Sequence, residues 1–298
     1  MLHVMIVIVV AMLVLSAFGC AAPVSPAPPI RVMCFNIRCS TATGDGENHW
    51  SKRRELFFQT VERLDPDLLG AQEAVSEQAD ALRARLADEY TFIGVGRDDG
   101  ERRGEFAPIL FRADRFELLD QGHIWLSESP EKPGSVSWDS ALTRIATWVK
   151  LRDKLNPTRG HFIFMNTHWD HVGELARLES AKLIRRTLAK LSDHGKLGVI
   201  FAGDLNCTED QPPLLTLLGT ENGGPTLSDS YRAVHPRAEP MEQTFHAFDG
   251  SPVGRRIDFI MHTPHWRCGE AVIDRSSRDG RYPSDHFPVI CVLDWSNR

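Results

Sequence analysis

Apolar residues along this chain keep two different spacings. Short runs that are apolar at nearly every position predict strands at Arg31–Ile37, Asp67–Gln72, Ala107–Arg112, Ile145–Leu151, Phe162–Thr167, Leu197–Ala202, Ile257–Met261 and Val289–Leu293. Several are apolar on both faces, as strands are when they lie between two layers. Longer segments with a helical period run from Lys52 to Leu64, with Leu56, Phe57, Val61 and Leu64 on one side, and from Leu175 to Leu191, with Leu175, Leu178, Ile184, Leu188 and Leu191. The turn-like Asn156-Pro157-Thr158-Arg159-Gly160 joins strands 145–151 and 162–167 into an antiparallel hairpin. Strand and helix do not alternate regularly, and there is no repeat period and no glycine-rich phosphate loop. The pattern fits an α+β fold better than a doubly wound sheet. It predicts a four-layer αββα sandwich of two mixed, mainly antiparallel sheets with helices outside, in one domain spanning residues 30–298.

The N-terminal end is different. Leu2 to Phe18 is almost purely apolar and carries no Asp, Glu, Lys or Arg, followed by the small residues Gly19-Cys20-Ala21-Ala22. Its length suits an export signal better than a spanning helix, although the usual basic start is missing. Ser16-Ala17-Phe18-Gly19-Cys20 resembles a lipoprotein cleavage box, in which Cys20 would be lipidated and would tether the protein to a membrane. The expected organisation is a signal at 1–22, a Pro/Ala-rich tether at 23–29 and an exported domain, periplasmic or extracellular. Cys34, Cys39, Cys207, Cys268 and Cys291 form an odd set with no zinc-like spacing, and Cys34 and Cys291 sit in core-like runs. Nothing suggests a coiled coil or an obligate interface, so a monomer is expected.

Formal net charge is -6, so no global positive field draws in a polyanion, and local arginines or metal ions must hold one. Candidate chemistry gathers at the strand ends. Gly203-Asp204-Leu205-Asn206 follows an apolar strand, Asn36 ends another, and Glu73 and His168 end two more. Asp258 lies in Arg-Ile-Asp-Phe-Ile, and Asp285-His286 precedes the last strand. If these ends share one rim, they supply carboxylates, amides and two imidazoles. Oxygen-rich donors select Mg²⁺, with Mn²⁺ or Ca²⁺ as alternatives, over zinc. Carboxylate, histidine and metal together can neutralise a phosphodiester, activate a water and stabilise the leaving oxygen. No nucleophile-elbow serine or Cys-His pairing competes for the role.

Asn36, Gln72-Glu73, Asn166-Thr167-His168, Gly203-Asp204-Leu205-Asn206, Arg256-Ile257-Asp258 and Ser284-Asp285-His286 resemble, in order, the motif set of the endonuclease/exonuclease/phosphatase superfamily, which includes deoxyribonuclease I. The resemblance covers residues 30–295 and implies the deoxyribonuclease I-like sandwich. It implies that Glu73 is the principal metal ligand, with Asn36 beside it on metal or phosphate and Asp285 in the metal network. Asp204 and Asn206 would orient water and phosphate. His286, held by Asp258, would contact phosphate or act as general base, and His168, oriented by Glu105, would act as acid toward the leaving group. Arg144 would contact phosphate.

Departures from the named branches are informative. Cys207-Thr208-Glu209 and Tyr282-Pro283-Ser284-Asp285-His286 disfavour the inositol 5-phosphatases, and His168 disfavours the apurinic endonucleases. The segments Trp125–Pro130 and His168–Gly173 look more like a bacterial, largely uncharacterised group described as deadenylase-like. Asp170, His171 and His246 would extend the site toward substrate, and Trp50, Trp125, Trp169 and Trp266 are candidates to stack on it. The expected function is an exported, divalent-metal-dependent phosphodiesterase acting on nucleic acid, as endonuclease or 3'-5' exonuclease. Two alternatives stay open: a phospholipid or sugar-phosphate phosphoesterase, and an inactive binding module on the same fold.

Overall fold

The computed structural model describes residues 27–156, 161–220 and 223–296. The signal, Cys20 and most of the tether lie outside the described residues. In order, the elements are β1 (Ile30–Asn36), α1 (Trp50–Leu64), β2 (Leu68–Gln72), α2 (Ser76–Leu86), β3 (Tyr90–Ile93), β4 (Ile109–Arg112), β5 (Phe116–Trp125), β6 (Ile145–Asp153) and β7 (His161–His168). Then follow α3 (Glu174–Leu191), β8 (Gly198–Asp204), α4 (Pro212–Leu218), β9 (Ser228–Asp229), α5 (Ser230–Val234), β10 (Asp258–His262), β11 (Trp266–Ile273) and β12 (Val289–Trp295).

Two six-stranded sheets form, ordered β11-β12-β1-β2-β4-β3 and β5-β6-β7-β8-β10-β9. Only β1–β2 and β7–β8 pair in parallel among the described strands; the others are antiparallel, and β6 and β7 make the expected hairpin. The two-faced apolar strands are explained by three apolar layers. Val32 and Cys34 of β1 and Ile200 and Ala202 of β8 meet between the sheets. On the opposite faces, Met33 and Phe35 pack with α1 and α2, and Val199 and Phe201 pack with α3. The αββα sandwich is therefore as expected. Cys34 and Cys291 are buried in the inter-sheet layer, and all five described cysteines are free thiols.

One polar side chain crosses the apolar interior. Asn166 of β7 donates from Nδ2 to the Ala71 and Pro108 carbonyls of the other sheet, at 2.7 and 2.9 Å, and accepts from Gln72 Nε2 at 2.7 Å. Gly70 makes room for it, because a Cβ there would meet Asn166 Oδ1 at 2.7 Å. Asn166→Leu keeps the volume but removes three hydrogen bonds from a dry interior, although the Pro108 carbonyl keeps the Ala71 amide and Gln72 Nε2 keeps the Gly70 carbonyl. It is expected to destabilise the fold by about 3 kcal/mol, read as a lower denaturant midpoint at unchanged slope. A shift too small to measure would show that this lock contributes nothing.

This topology also places the site. β1, β2, β7 and β8 all end at one edge of the sandwich, in register at Asn36–Gln72 and His168–Asp204. β10 runs the other way and so begins there, with Asp258 opposite Asp204. β12 runs antiparallel to β1, which brings the preceding Asp285 and His286 to the same edge.

Candidate active site

The converging strand ends enclose a cavity of about 330 Å³. Its floor and walls include Glu73, Glu105, Asp204 and Asp285, both His168 and His286, and Asn206, Arg144 and His171. Three site residues hold the left-handed backbone conformation without being glycine: Arg38 (φ 55°), Glu73 (φ 64°) and Asn206 (φ 47°). Such geometry costs roughly 1–3 kcal/mol per residue and persists where surrounding contacts enforce it.

Asp204 Oδ2 is the hub. It accepts from Asn36 Nδ2 at 2.9 Å and lies 3.6 Å from His168 Nε2 and 3.7 Å from His286 Nε2. Asn36 thus ties Asp204 of one sheet to Glu73 of the other, whose Oε1 it also reaches at 2.9 Å. The second Glu73 oxygen accepts from the Cys39 amide at 3.1 Å. Burial raises the Asp204 carboxyl, and the nearby Asp258 adds to this, to about 7. Burial would also raise Glu73, but the Asn36 amide and the charge of His286 bring it below its usual value. Asp285 stays raised by burial despite His286.

The two histidines are driven apart. Burial alone would lower His286, but the adjacent Asp258 overrides it by charge and by a 2.8 Å hydrogen bond at Nδ1, raising His286 to about 10. Burial and the cations Arg144 and Arg97 push His168 well below its usual value. A pair of titratable groups separated in this way suits opposite proton roles.

Asn206 lines the cavity and also fixes the neighbouring imidazole. Its Nδ2 donates to the Trp169 carbonyl at 3.0 Å, which identifies that atom as nitrogen, and its other contact is His168 Nε2 at 3.0 Å. The neutral imidazole therefore accepts at Nε2 and carries its proton on Nδ1. That Nδ1 is buried without a partner, 3.8 Å from Glu105 Oε2. The same Glu105 oxygen accepts from Arg97 Nη1 at 2.6 Å, so Arg97 competes with His168 for the carboxylate.

Two expected substrate contacts are corrected. Asp170 lies behind the cavity surface, where it accepts from the Val172 and Gly173 amides and from Arg144 Nε at 3.4 Å. It aims Arg144, whose Nη1 is buried without a partner and whose Nη2 meets His171 Nδ1 at 3.0 Å. His246 is stacked on Phe287 at 3.9 Å and accepts from the Gly250 amide, away from the cavity lining. Its neighbour Phe245 lines the cavity instead. Trp50, Trp125, Trp169 and Trp266 are buried core residues outside the cavity lining, which corrects their reading as stacking platforms. Arg38, Cys39 and Leu142 also line the cavity and carry no motif signal of their own, although Arg38 lies only two residues beyond Asn36.

The oxygen-rich donors fit a hard divalent cation. Four carboxylates, Glu73, Glu105, Asp204 and Asp285, line one small cavity together with the Asn206 amide. Among the described residues, ligand atoms of Asp204, Asp258 and His286 lie within 4.8 Å of one another. Yet the short His286–Asp258 hydrogen bond already occupies two of those three groups. Glu73, which is preorganised at the cavity wall, would be the better first ligand, with Asp285 lining the same cavity.

The family model for endonuclease/exonuclease/phosphatase proteins matches residues 33–286. An endonuclease/exonuclease/phosphatase protein of Bacteroides vulgatus is 35% identical, with a TM-score of 0.80 over 90% of this chain and 99% of that one. A mannosyl-6-phosphatase of Bacteroides thetaiotaomicron is 32% identical, with a TM-score of 0.79 over 89% of this chain and 100% of that one. Drosophila melanogaster nocturnin is 22% identical over 92% of this chain. The chain spans 31% and 48% of the length of the two curated relatives it matches. Family match and geometry agree: this chain belongs to the endonuclease/exonuclease/phosphatase family.

Proposed function

We propose that the protein is a divalent-metal-dependent phosphoesterase whose substrate is a small phosphorylated molecule of sugar size. The observation that carries the hydrolytic reading is the Asp204 hub, where one carboxylate oxygen faces two imidazoles of opposite proton affinity beside the Glu73 carboxylate. A cation on Glu73 and Asp285 would supply charge neutralisation at the phosphate. Asp204 aligns the attacking water and takes its proton while the bond from phosphorus to the ester oxygen breaks, and the departing alcohol oxygen takes up a proton from solvent. His286, held protonated by Asp258, donates to a phosphate oxygen. Arg144, aimed by Asp170, offers its unpartnered Nη1 to another.

A compact substrate is supported by the cavity volume of about 330 Å³, at the small end for ligand pockets, and by the net charge of -6. The similar mannosyl-6-phosphatase points the same way. Nucleic acid is the second reading, favoured by the family's nuclease members. Phosphate or nucleotide release from hexose 6-phosphates, RNA, DNA and bis(p-nitrophenyl) phosphate, each with Mg²⁺ and Mn²⁺, separates them. Faster turnover of the hexose phosphates supports the first reading, and faster cleavage of either polymer replaces it with the second.

A further inference from the structure

Phe245 is a large apolar side chain left 43% exposed on the wall of a polar catalytic cavity. Its ring centroid is 5.1 Å from that of His286. The backbone beneath it is fixed. Phe245 pairs with His286 in an isolated antiparallel bridge, the His246 amide donates to the Asp285 carbonyl at 2.8 Å, and the Phe287 amide donates to the Thr244 carbonyl at 2.7 Å. Thr244 Oγ1 in turn accepts from the Ile257 and Asp258 amides at the start of β10. The stacked His246 and Phe287 support the same segment from inside. Leu142, 42% exposed, lines the cavity beside the Asp170–Arg144 wall. A single exposed apolar side chain is ordinary on a protein surface; what sets Phe245 apart is its place, on a hydrogen-bonded segment in the cavity wall and against His286.

We propose that Phe245 is the platform for the leaving group, and that the phosphate this site cleaves is carried by a pyranose ring whose apolar face lies on Phe245. This rests on the phosphoesterase reading above and specifies its substrate. Reach decides the ring. With phosphate at His286, a platform about one ring-stacking distance away meets the group bonded directly to the ester oxygen or one carbon beyond it. In a sugar 6-phosphate that group is the pyranose. In a nucleotide it is the ribose, and the base lies a further ring away. A sugar has one face of axial C–H groups for the aromatic ring and equatorial hydroxyls for the half-exposed Arg38 and for His171, which also line the cavity.

The test compares kcat/KM for hexose 6-phosphate, glycerol phosphate and a 5′-mononucleotide in the wild-type protein and in Phe245→Ala and Phe245→Trp. Glycerol phosphate carries the same charge and some of the hydroxyls but no ring face. Phe245→Ala is expected to lose about tenfold more on hexose phosphate than on glycerol phosphate, mainly through KM, and Phe245→Trp to recover most of that difference. Equal losses on the two substrates, or a larger loss on the mononucleotide, would overturn the platform. A wild-type protein that hydrolyses no monoester but cleaves diesters removes the phosphoesterase reading for small sugars itself, and that result is in hand before any variant is made. Phe245 is half in solvent, so circular dichroism should be unchanged in both variants.

Discussion

Asp258→Asn is expected to reduce kcat about a thousandfold while leaving the fold intact. Asp258 is fully buried and touches no solvent-facing part of the cavity, so its effect travels through His286. The 2.8 Å bond from Asp258 Oδ2 fixes the His286 tautomer and, with its charge, keeps the imidazole protonated against burial. An amide of the same shape keeps contact but removes the charge, and its NH₂ group competes for the ring nitrogen. His286→Ala is expected to lose a similar amount of activity, for a different structural outcome. It leaves a buried carboxylate without its partner, which costs about 3 kcal/mol or more of stability. The double variant should regain that stability yet stay inactive. A thermodynamic cycle over the four proteins measures this coupling, with equal stability of His286→Ala and the double variant arguing against a charged dyad. Retention of more than about a tenth of wild-type kcat in Asp258→Asn would mean that His286 needs no ionised partner.

Glu73→Gln is expected to weaken binding of Mg²⁺ or Mn²⁺ about a hundredfold and to remove turnover at ordinary metal concentrations. Glu73 is preorganised: Asn36 Nδ2 and the Cys39 amide hold its two oxygens, and its left-handed backbone turns the side chain off the end of β2 into the cavity. Glutamine matches the shape but supplies one neutral oxygen to a hard cation that selects for charge. Isothermal titration of the purified protein with Mn²⁺ reads the change directly. Unchanged affinity would move the principal ligand to the Asp204, Asp258 and His286 cluster.

Much of this was legible in the sequence because the inner strands are covered on both faces. β1, β2, β7, β8, β10 and β12 announce themselves as apolar runs, and the site residues stand at their ends. The four sheet edges did not announce themselves. β3, β5, β9 and β11 each have one bare side, and β5 and β11 carry charged or polar residues such as Glu117, Asp120, Arg267 and Glu270 where an inner strand would carry apolar ones. α2 was missed because its buried stripe is only Gln78, Ala79, Leu82 and Leu86 among charged neighbours.

Within the site, spacing marked the residues that end strands but not which way they turn. Asp170 reads as a cavity carboxylate, yet it is consumed by the Val172 and Gly173 amides just before α3 and by Arg144. His246 reads as a site imidazole, yet its ring is packed inside and the adjacent Phe245 faces the cavity. Arg97 lies on an irregular segment eight residues before Glu105, and no strand or helix pattern there shows that the loop folds back to pair the two.

The most direct test of the central claim is steady-state phosphate release from hexose 6-phosphate, with bis(p-nitrophenyl) phosphate as the diester control, by wild-type protein and Asp204→Asn, each with Mg²⁺ and with a chelator. The account predicts Mg²⁺-dependent turnover in the wild type, lost in chelator and restored by added metal, and no turnover above background in a folded Asp204→Asn. Turnover that survives both the chelator and the loss of the Asp204 charge would contradict it.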